Sequence, residues 1–519
     1  MFYPPTIPIN FLTFLLLSLF WGGVSLAFTW KTGDRSREFW VLHVLTGVLA
    51  SLSSLLLLTA VGFIPDDWSA TRMSVPLSMF YGYPLYSELA SHPANANFYL
   101  PFGFLGFLPA AYLGYVFHSP SVCLLLGWAT TMLFYFLPFY LFIRRFKINN
   151  KIKLNVFLLC IIITLSTPSL RYVATMIHVD AAGFLCIATA LSLMLPIRSN
   201  NVMPSKVDFV ISGTALGISV FIKQTFWPIT VVLFMLIIFY YRNASKNFII
   251  SFFITVFLCI CFIVSLFDIR TIWNYAFSAA SSAPDGCSAI QSLAAFFKIN
   301  WPLLFASSLL FFLLCCYKRS NFQRPFVNSI IGTLFIFFCA VPLSIYTFTK
   351  LGSDSNHFIF PSALLLFLLL YFLSQIVENK PKNNSVFLVV IIIFLFPLFT
   401  YIKTYCGWYL WVNNPHEVAY RVCKKYTDHS LFFPWQPMAS LLAHGKMYHI
   451  DQAIFYEEVN GMNSRSIANL DMFLPKKPFI IALRPFGAPS FLADKFQSTE
   501  INSLQVIPEL QEWKKMQVK

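Results

Sequence analysis

Apolar runs near or above the ~20 residues that carry a helix across a bilayer recur from Phe11 almost to Ile402, with short polar loops between them. A water-soluble fold has no core able to bury so many, so lipid must serve as their solvent, and in lipid the backbone is satisfied by helices. The composition agrees: of 519 residues 58% are hydrophobic and 11% charged, and the mean hydropathy is +0.69. The expected architecture is an all-α polytopic membrane domain over residues 1–402, with roughly eleven to thirteen transmembrane helices.

The formal charge of +15 does not point to nucleic acid, because Lys and Arg are spread through short inter-helix loops and form no basic stripe. By the positive-inside rule, the loops Lys31–Arg37, Arg144–Lys153, Arg198–Lys206, Arg242–Lys246, Lys318–Arg324 and Glu378–Lys382 are cytoplasmic. The segments between them then face the other side: a large outer loop over 64–100, then Thr167–Asp180, Lys223–Trp227, Arg270–Asn300 and Lys350–His357. Phe11–Thr29 has no basic residue before it and reads as a retained first helix. Pro101 and Pro109 weaken Pro101–His118 as a regular helix, so it is expected to be partly inserted or interfacial, ahead of a true crossing over Ser121–Ile143.

Beyond residue 402 the composition changes. Residues 403–519 carry charges, Pro, Asn and His throughout and read as a small α/β domain, extracytoplasmic by helix parity. Phe479–Leu483 has the pattern of a strand, and Met438–Leu442 and Asn469–Phe473 read as short helical pieces. Eight of the eleven cysteines lie in apolar runs as small hydrophobes. Cys287, Cys406 and Cys423 lie in polar segments, which leaves room for an extracytoplasmic disulfide.

The residues able to do chemistry gather in the expected outer segments. Asp66 and Asp67 follow an apolar run directly; a partly desolvated carboxylate there could act as general base, and a solvated Pro-Asp-Asp turn would give the same pattern. Arg72 comes next, then Tyr81–Tyr86 and His92–Pro101, rich in aromatics, Pro and Gly, which suit either a membrane anchor or a rigid platform for a sugar or head group. Arg171, His178 and Asp180 stand just before an apolar run that begins at Ala181, at or near bilayer depth. Lys223, followed by Gln224, interrupts the apolar span Phe209–Tyr240; it could neutralise a phosphate oxygen or snorkel to the interface. Asn356 and His357 open another apolar run and could donate to an anionic or sugar ligand, although Asp354 or Ser355 could equally form a simple capping turn. No zinc-type spacing, P-loop or dinucleotide-binding loop is present.

In pattern, residues 39–400 resemble the GT-C superfamily of membrane glycosyltransferases. The resemblance rests on the acidic pair Asp66–Asp67, the stretch Asn97-Phe98-Tyr99-Leu100-Pro101, His178-Val179-Asp180, Lys223-Gln224-Thr225 and Gly352-Ser353-Asp354-Ser355-Asn356-His357. The tail stretch Phe432-Phe433-Pro434-Trp435-Gln436-Pro437 looks like that of bacterial members with an outer C-terminal domain. One departure is an extra apolar helix ahead of the one preceding Asp66. The resemblance implies transfer of a sugar from a polyprenyl-phosphate-linked donor to a lipid or cell-envelope glycan acceptor on the extracytoplasmic face, in a bacterial inner membrane. It implies Asp66 or Asp67 as base, Lys223 and Arg171 on the donor phosphate, and His178, Asp180, Asn356 and His357 around the substrate; Arg72 and Gln224, in the same outer segments, are further candidate substrate-binding residues. A divalent metal could assist, but the scattered carboxylates show no ligand set. The competing reading is a secondary transporter or lipid-linked-glycan flippase, in which Lys223, Asp180 and Arg171 would line a path at the midplane.

Overall fold

The computed structural model describes residues 6–7, 37–61, 67–86, 99–146, 148, 150–195, 204–273, 276, 286–317, 324–350, 355–379, 386–387, 389–394, 397, 408–409, 414–427, 431–433, 436–448, 479–483, 498–500 and 514–518. Asp66, the side chain of Asp67, Cys406, the run Phe11–Thr29 and the piece Asn469–Phe473 lie outside the described residues.

Helices dominate. In chain order they are α1 (Arg37–Val61), α2 (Asp67–Met79), α3 (Phe102–Leu105), α4 (Leu108–Val116), α5 (Pro120–Arg144), α6 (Asn150–Ser166), α7 (Pro168–Thr175), α8 (Val179–Met194) and α9 (Lys206–Ser219). Then follow α10 (Trp227–Tyr241), α11 (Lys246–Leu266), α12 (Ile269–Trp273), α13 (Ala289–Tyr317), α14 (Arg324–Phe348), α15 (Ile359–Asn379), α16 (Pro415–Lys425) and α17 (Met438–His444). Among the described residues six helices are long and apolar enough to cross a membrane. A seventh span results if α6 and α7, bent by 100° at their junction, count as one, and α1 and α8 supply shorter apolar stretches. The chain is an integral multi-pass membrane protein.

Several expectations take definite form. The segment after Pro101 is two short helices, α3 and α4; nine residues of α4 rise only about 14 Å, too little for a hydrocarbon layer of about 30 Å. Tyr112, Leu113 and Val116 of α4 and Phe117 just after it are exposed, and α5 then makes the crossing, with Ser119 capping its start and Pro120 in its first turn. The large outer loop contains a helix, since α2 begins at Asp67. Asn300, expected in a loop, lies fully buried within α13. It is accommodated because its Nδ2 donates to the Phe296 carbonyl (3.0 Å) and its Oδ1 accepts from Ser362 (2.6 Å), whose Oγ is 2.7 Å from Ser169.

The central element is α8, whose residues Val179–Ala182 and most of the rest are buried. Its C-terminal carbonyls would be orphaned in lipid; Arg145 donates to the Ser192 carbonyl (2.6 Å) and to that of Leu193, and the Tyr241 hydroxyl donates to that of Met194. On its other side α9 packs on α11 through small residues. A Cβ on Gly213 would lie 2.1 Å from Ser251 Oγ, and one on Gly217 2.9 Å from Thr255 Cβ, so glycine sets this separation.

The tail combines helices and sheet. Leu431–Phe432 (β3) pairs parallel with Phe479–Leu483 (β4), which pairs antiparallel with Lys514–Val518 (β6), and β6 pairs with Ser498–Glu500 (β5). The strand at Phe479–Leu483 and the helix from Met438 stand where the sequence places them. Thr6–Ile7 (β1) pairs antiparallel with Trp408–Tyr409 (β2). Tail and outer loop share a face: the Tyr83 hydroxyl donates to the Gly445 carbonyl (2.8 Å) and accepts from the Met447 N–H (3.2 Å), while Ser121 donates to Glu417 (2.9 Å). Cys287 and Cys423 are free thiols.

Candidate active site

Three segments close on the start of α8, and glycines permit it. A Cβ on Gly183 would lie 1.7 Å from a ring carbon of Phe226, and one on Gly103 would lie 2.8 Å from Val179 Cβ. Backbone bonds lock the approach: Leu100 N–H donates to the Ile222 carbonyl (3.1 Å), Phe102 N–H to that of Phe221 (3.2 Å), and Ile177 N–H to Ser69 Oγ (3.1 Å). Segments distant in sequence therefore present their polar side chains at one place.

Asp180 is the hub, 1% exposed. Its Oδ1 accepts from Lys223 Nζ at 2.9 Å, and its Oδ2 accepts from Asn356 Nδ2 at 2.6 Å and lies 3.0 Å from His178 Nδ1. Lying in the first turn of α8, the carboxylate also faces the positive end of that helix. Asn356 opens the span Ser355–Glu378, and Lys223 immediately precedes the span Gln224–Tyr241. Three helix starts thus meet here, which places the cluster at one end of the bundle and adds positive potential to it.

From Asp180 a chain of contacts runs outward. His178 caps α8, its Nδ1 being 3.1 Å from the Asp180 N–H, and its Nε2 is 3.3 Å from the Tyr99 hydroxyl. That hydroxyl accepts from Arg72 Nη1 at 3.1 Å. The Tyr99 ring lies between two cations, with the Arg72 guanidinium 5.0 Å and the Lys223 ammonium 5.3 Å from its centroid; Arg72 is also 5.9 Å from the Trp68 ring. Burial pulls the His178 imidazole down to about 4, and the Arg72 and Lys223 charges add to that effect against the pull of Asp180, so the ring is neutral at neutral pH.

The charge is unbalanced. Arg72 and Lys223 are both 7% exposed, and among the described residues they bring two positive charges against the one carboxylate of Asp180. Arg72 has no carboxylate within ion-pair distance among the described residues, and its Nε is buried without a partner. A metal ion placed here would meet two cations, and among the described residues no three His, Cys, Asp or Glu side chains converge. The donor set suits an anion.

The expected residues divide accordingly. Arg72, His178, Asp180, Lys223 and Asn356 come together, and His357 lies within reach of the charges of Lys223, Asp180 and His178. Arg171 does not join them by any direct bond described; its Nη1 contacts the Leu165 carbonyl at 3.4 Å. Gln224 donates its amide to the Ala276 carbonyl (2.8 Å), at the point where extended Lys223 gives way to a 3-10 turn. Tyr99, which the sequence offers only as part of an aromatic platform, is the further member of the site; the aromatic-Pro stretch Asn97–Pro101 that contains it is the one available signal.

No protein-family model and no curated protein matches the chain. Among solved structures it is similar to that of ArnT from Cupriavidus metallidurans bound to undecaprenyl phosphate, with a TM-score of 0.54 and 11% sequence identity over 91% of this chain and 98% of that one. Identity this low speaks for fold alone. The chain shares the helical membrane fold of that structure.

Proposed function

We propose that the protein is a membrane glycosyltransferase that moves a sugar from a polyprenyl-phosphate-linked donor to a lipid or cell-envelope glycan acceptor. The observation that carries this reading is the pair of buried cations Arg72 and Lys223, which outnumber the carboxylates around them among the described residues, set where three helix starts meet. A phosphate bearing a lipid tail has the chemistry to match: charge for the cations and hydrocarbon for the surrounding bundle. The fold shared with ArnT, whose structure holds undecaprenyl phosphate, supports the same assignment.

In the reaction so assigned, the acceptor oxygen bonds to the anomeric carbon as the carbon–oxygen bond to phosphate breaks, and the electron pair leaves with the phosphate. Arg72 stabilises the charge that develops there, and Lys223, held by Asp180, adds to the field. Asp66 or Asp67 takes the acceptor proton. Asn356 and His357 border the substrate. The active face is the one shared by the outer loop and the tail domain of residues 403–519, the periplasmic face of a bacterial inner membrane.

Transfer of radiolabelled sugar from a polyprenyl-phosphate donor in membranes tests the assignment. Asp66→Asn or Asp67→Asn is expected to abolish it at unchanged expression, and full activity in both variants would remove the loop acid from the mechanism. Substrate uptake into proteoliposomes without covalent transfer would identify a transporter instead.

A further inference from the structure

We propose that His178 is the positioning residue of this site, linking Arg72 through Tyr99 to the buried Asp180–Lys223 pair and taking up a proton when an anion binds. This rests on the function proposed above. It starts from a hydrogen-bond conflict. His178 Nδ1 lies 3.0 Å from Asp180 Oδ2 and 3.1 Å from the Asp180 N–H, while Nε2 lies 3.3 Å from the Tyr99 oxygen. A neutral imidazole has one N–H, so it can donate to the carboxylate or to the phenol oxygen but not to both. The imidazolium donates to both and gives up the Asp180 N–H, which only an unprotonated Nδ1 accepts.

An anion arriving at Arg72 shifts the choice. It cancels one of the two positive charges that, with burial, hold the ring neutral, and it draws the Tyr99 hydroxyl proton toward itself, which turns the phenol oxygen into an acceptor for Nε2–H. The groups that face His178 are Arg72 from α2, Tyr99 from the preceding loop, Tyr172 from α7, Asp180 from α8, Lys223 ahead of α10, and His357 ahead of α15. Among them only Arg72 is a buried cation without a carboxylate among the described residues, so anion charge is felt at the ring chiefly through it.

Reciprocity gives the sign. If binding raises the proton affinity of His178, protonation must raise anion affinity by the same factor. Affinity is then constant above the bound-state value of the imidazole, tightens as pH falls from there toward about 4, and is constant again below. The slope in between approaches about tenfold per pH unit for one proton.

The test uses the full chain in nanodiscs and a polyprenyl methyl phosphodiester, whose single charge is fixed from pH 4 to 8. Wild type should bind more tightly at low pH. His178→Asn, His178→Gln and Tyr99→Phe should each flatten the profile, and His357→Asn should keep it. A flat wild-type profile, a slope that survives in the folded His178 variants and in Tyr99→Phe, or a slope lost in His357→Asn would overturn the proposal while leaving the donor assignment standing. Absence of binding at every pH would overturn both.

Discussion

Lys223 Nζ lies 2.9 Å from Asp180 Oδ1, with both groups buried and 43 positions apart in sequence. A buried pair of this kind contributes little net stability compared with apolar residues of the same shape, yet removing one partner strands the other. Asp180→Asn is therefore expected to destabilise the protein by about 3–5 kcal/mol. The double variant Asp180→Asn with Lys223→Met should regain most of that loss while remaining inactive. Thermal unfolding in detergent, compared across the two variants, measures this.

Arg72 is expected to be the main determinant of lipid-phosphate affinity. Arg72→Gln should weaken undecaprenyl phosphate binding by about 1.5–3 kcal/mol, roughly ten- to a hundredfold in Kd. Arg72→Lys keeps the charge but loses the planar fork that reaches Tyr99, and should fall between the two. Titration in nanodiscs distinguishes the three proteins, and equal affinity in all of them would move the anion elsewhere.

Gly183 controls whether the pair can meet at all. In Gly183→Ala the new methyl collides with the Phe226 ring, which must move and carry Lys223 with it. A shift near 1 Å is expected to cost roughly 10²-fold in transfer rate. Gly183→Ala combined with Phe226→Ala should recover part of the activity, since the collision is relieved, and the rate ratio of single to double variant reports this.

The Tyr83 hydroxyl should help to hold the tail on the outer loop. Tyr83→Phe removes the donor to Gly445 and the acceptor for Met447, and should weaken docking by about 1–3 kcal/mol. Faster tryptic cleavage after Lys446, with the membrane helices intact, is the expected outcome.

The class of protein was legible in the sequence because the length of an apolar run is a local property, and lipid leaves few alternatives to a helix. The strand Phe479–Leu483, the helix from Met438 and the breaks around Pro101 and Pro109 were readable for the same reason: each is a matter of nearby residues. His178, Asp180, Lys223 and Asn356 stood out because polar groups beside apolar runs are costly and therefore conspicuous. Their arrangement was not local. That Asn356 bonds to Asp180 across 176 residues while Arg171, only nine before Asp180, contacts the Leu165 carbonyl depends on how each helix is rotated and how closely it packs. Tyr99 gained its place between Arg72 and Lys223 in the same way, through the Leu100–Ile222 backbone bond and the close approaches at Gly103 and Gly183. Sequence determined which groups had to find partners; tertiary packing decided which partners they found, because side-chain direction is fixed only once the helices have met.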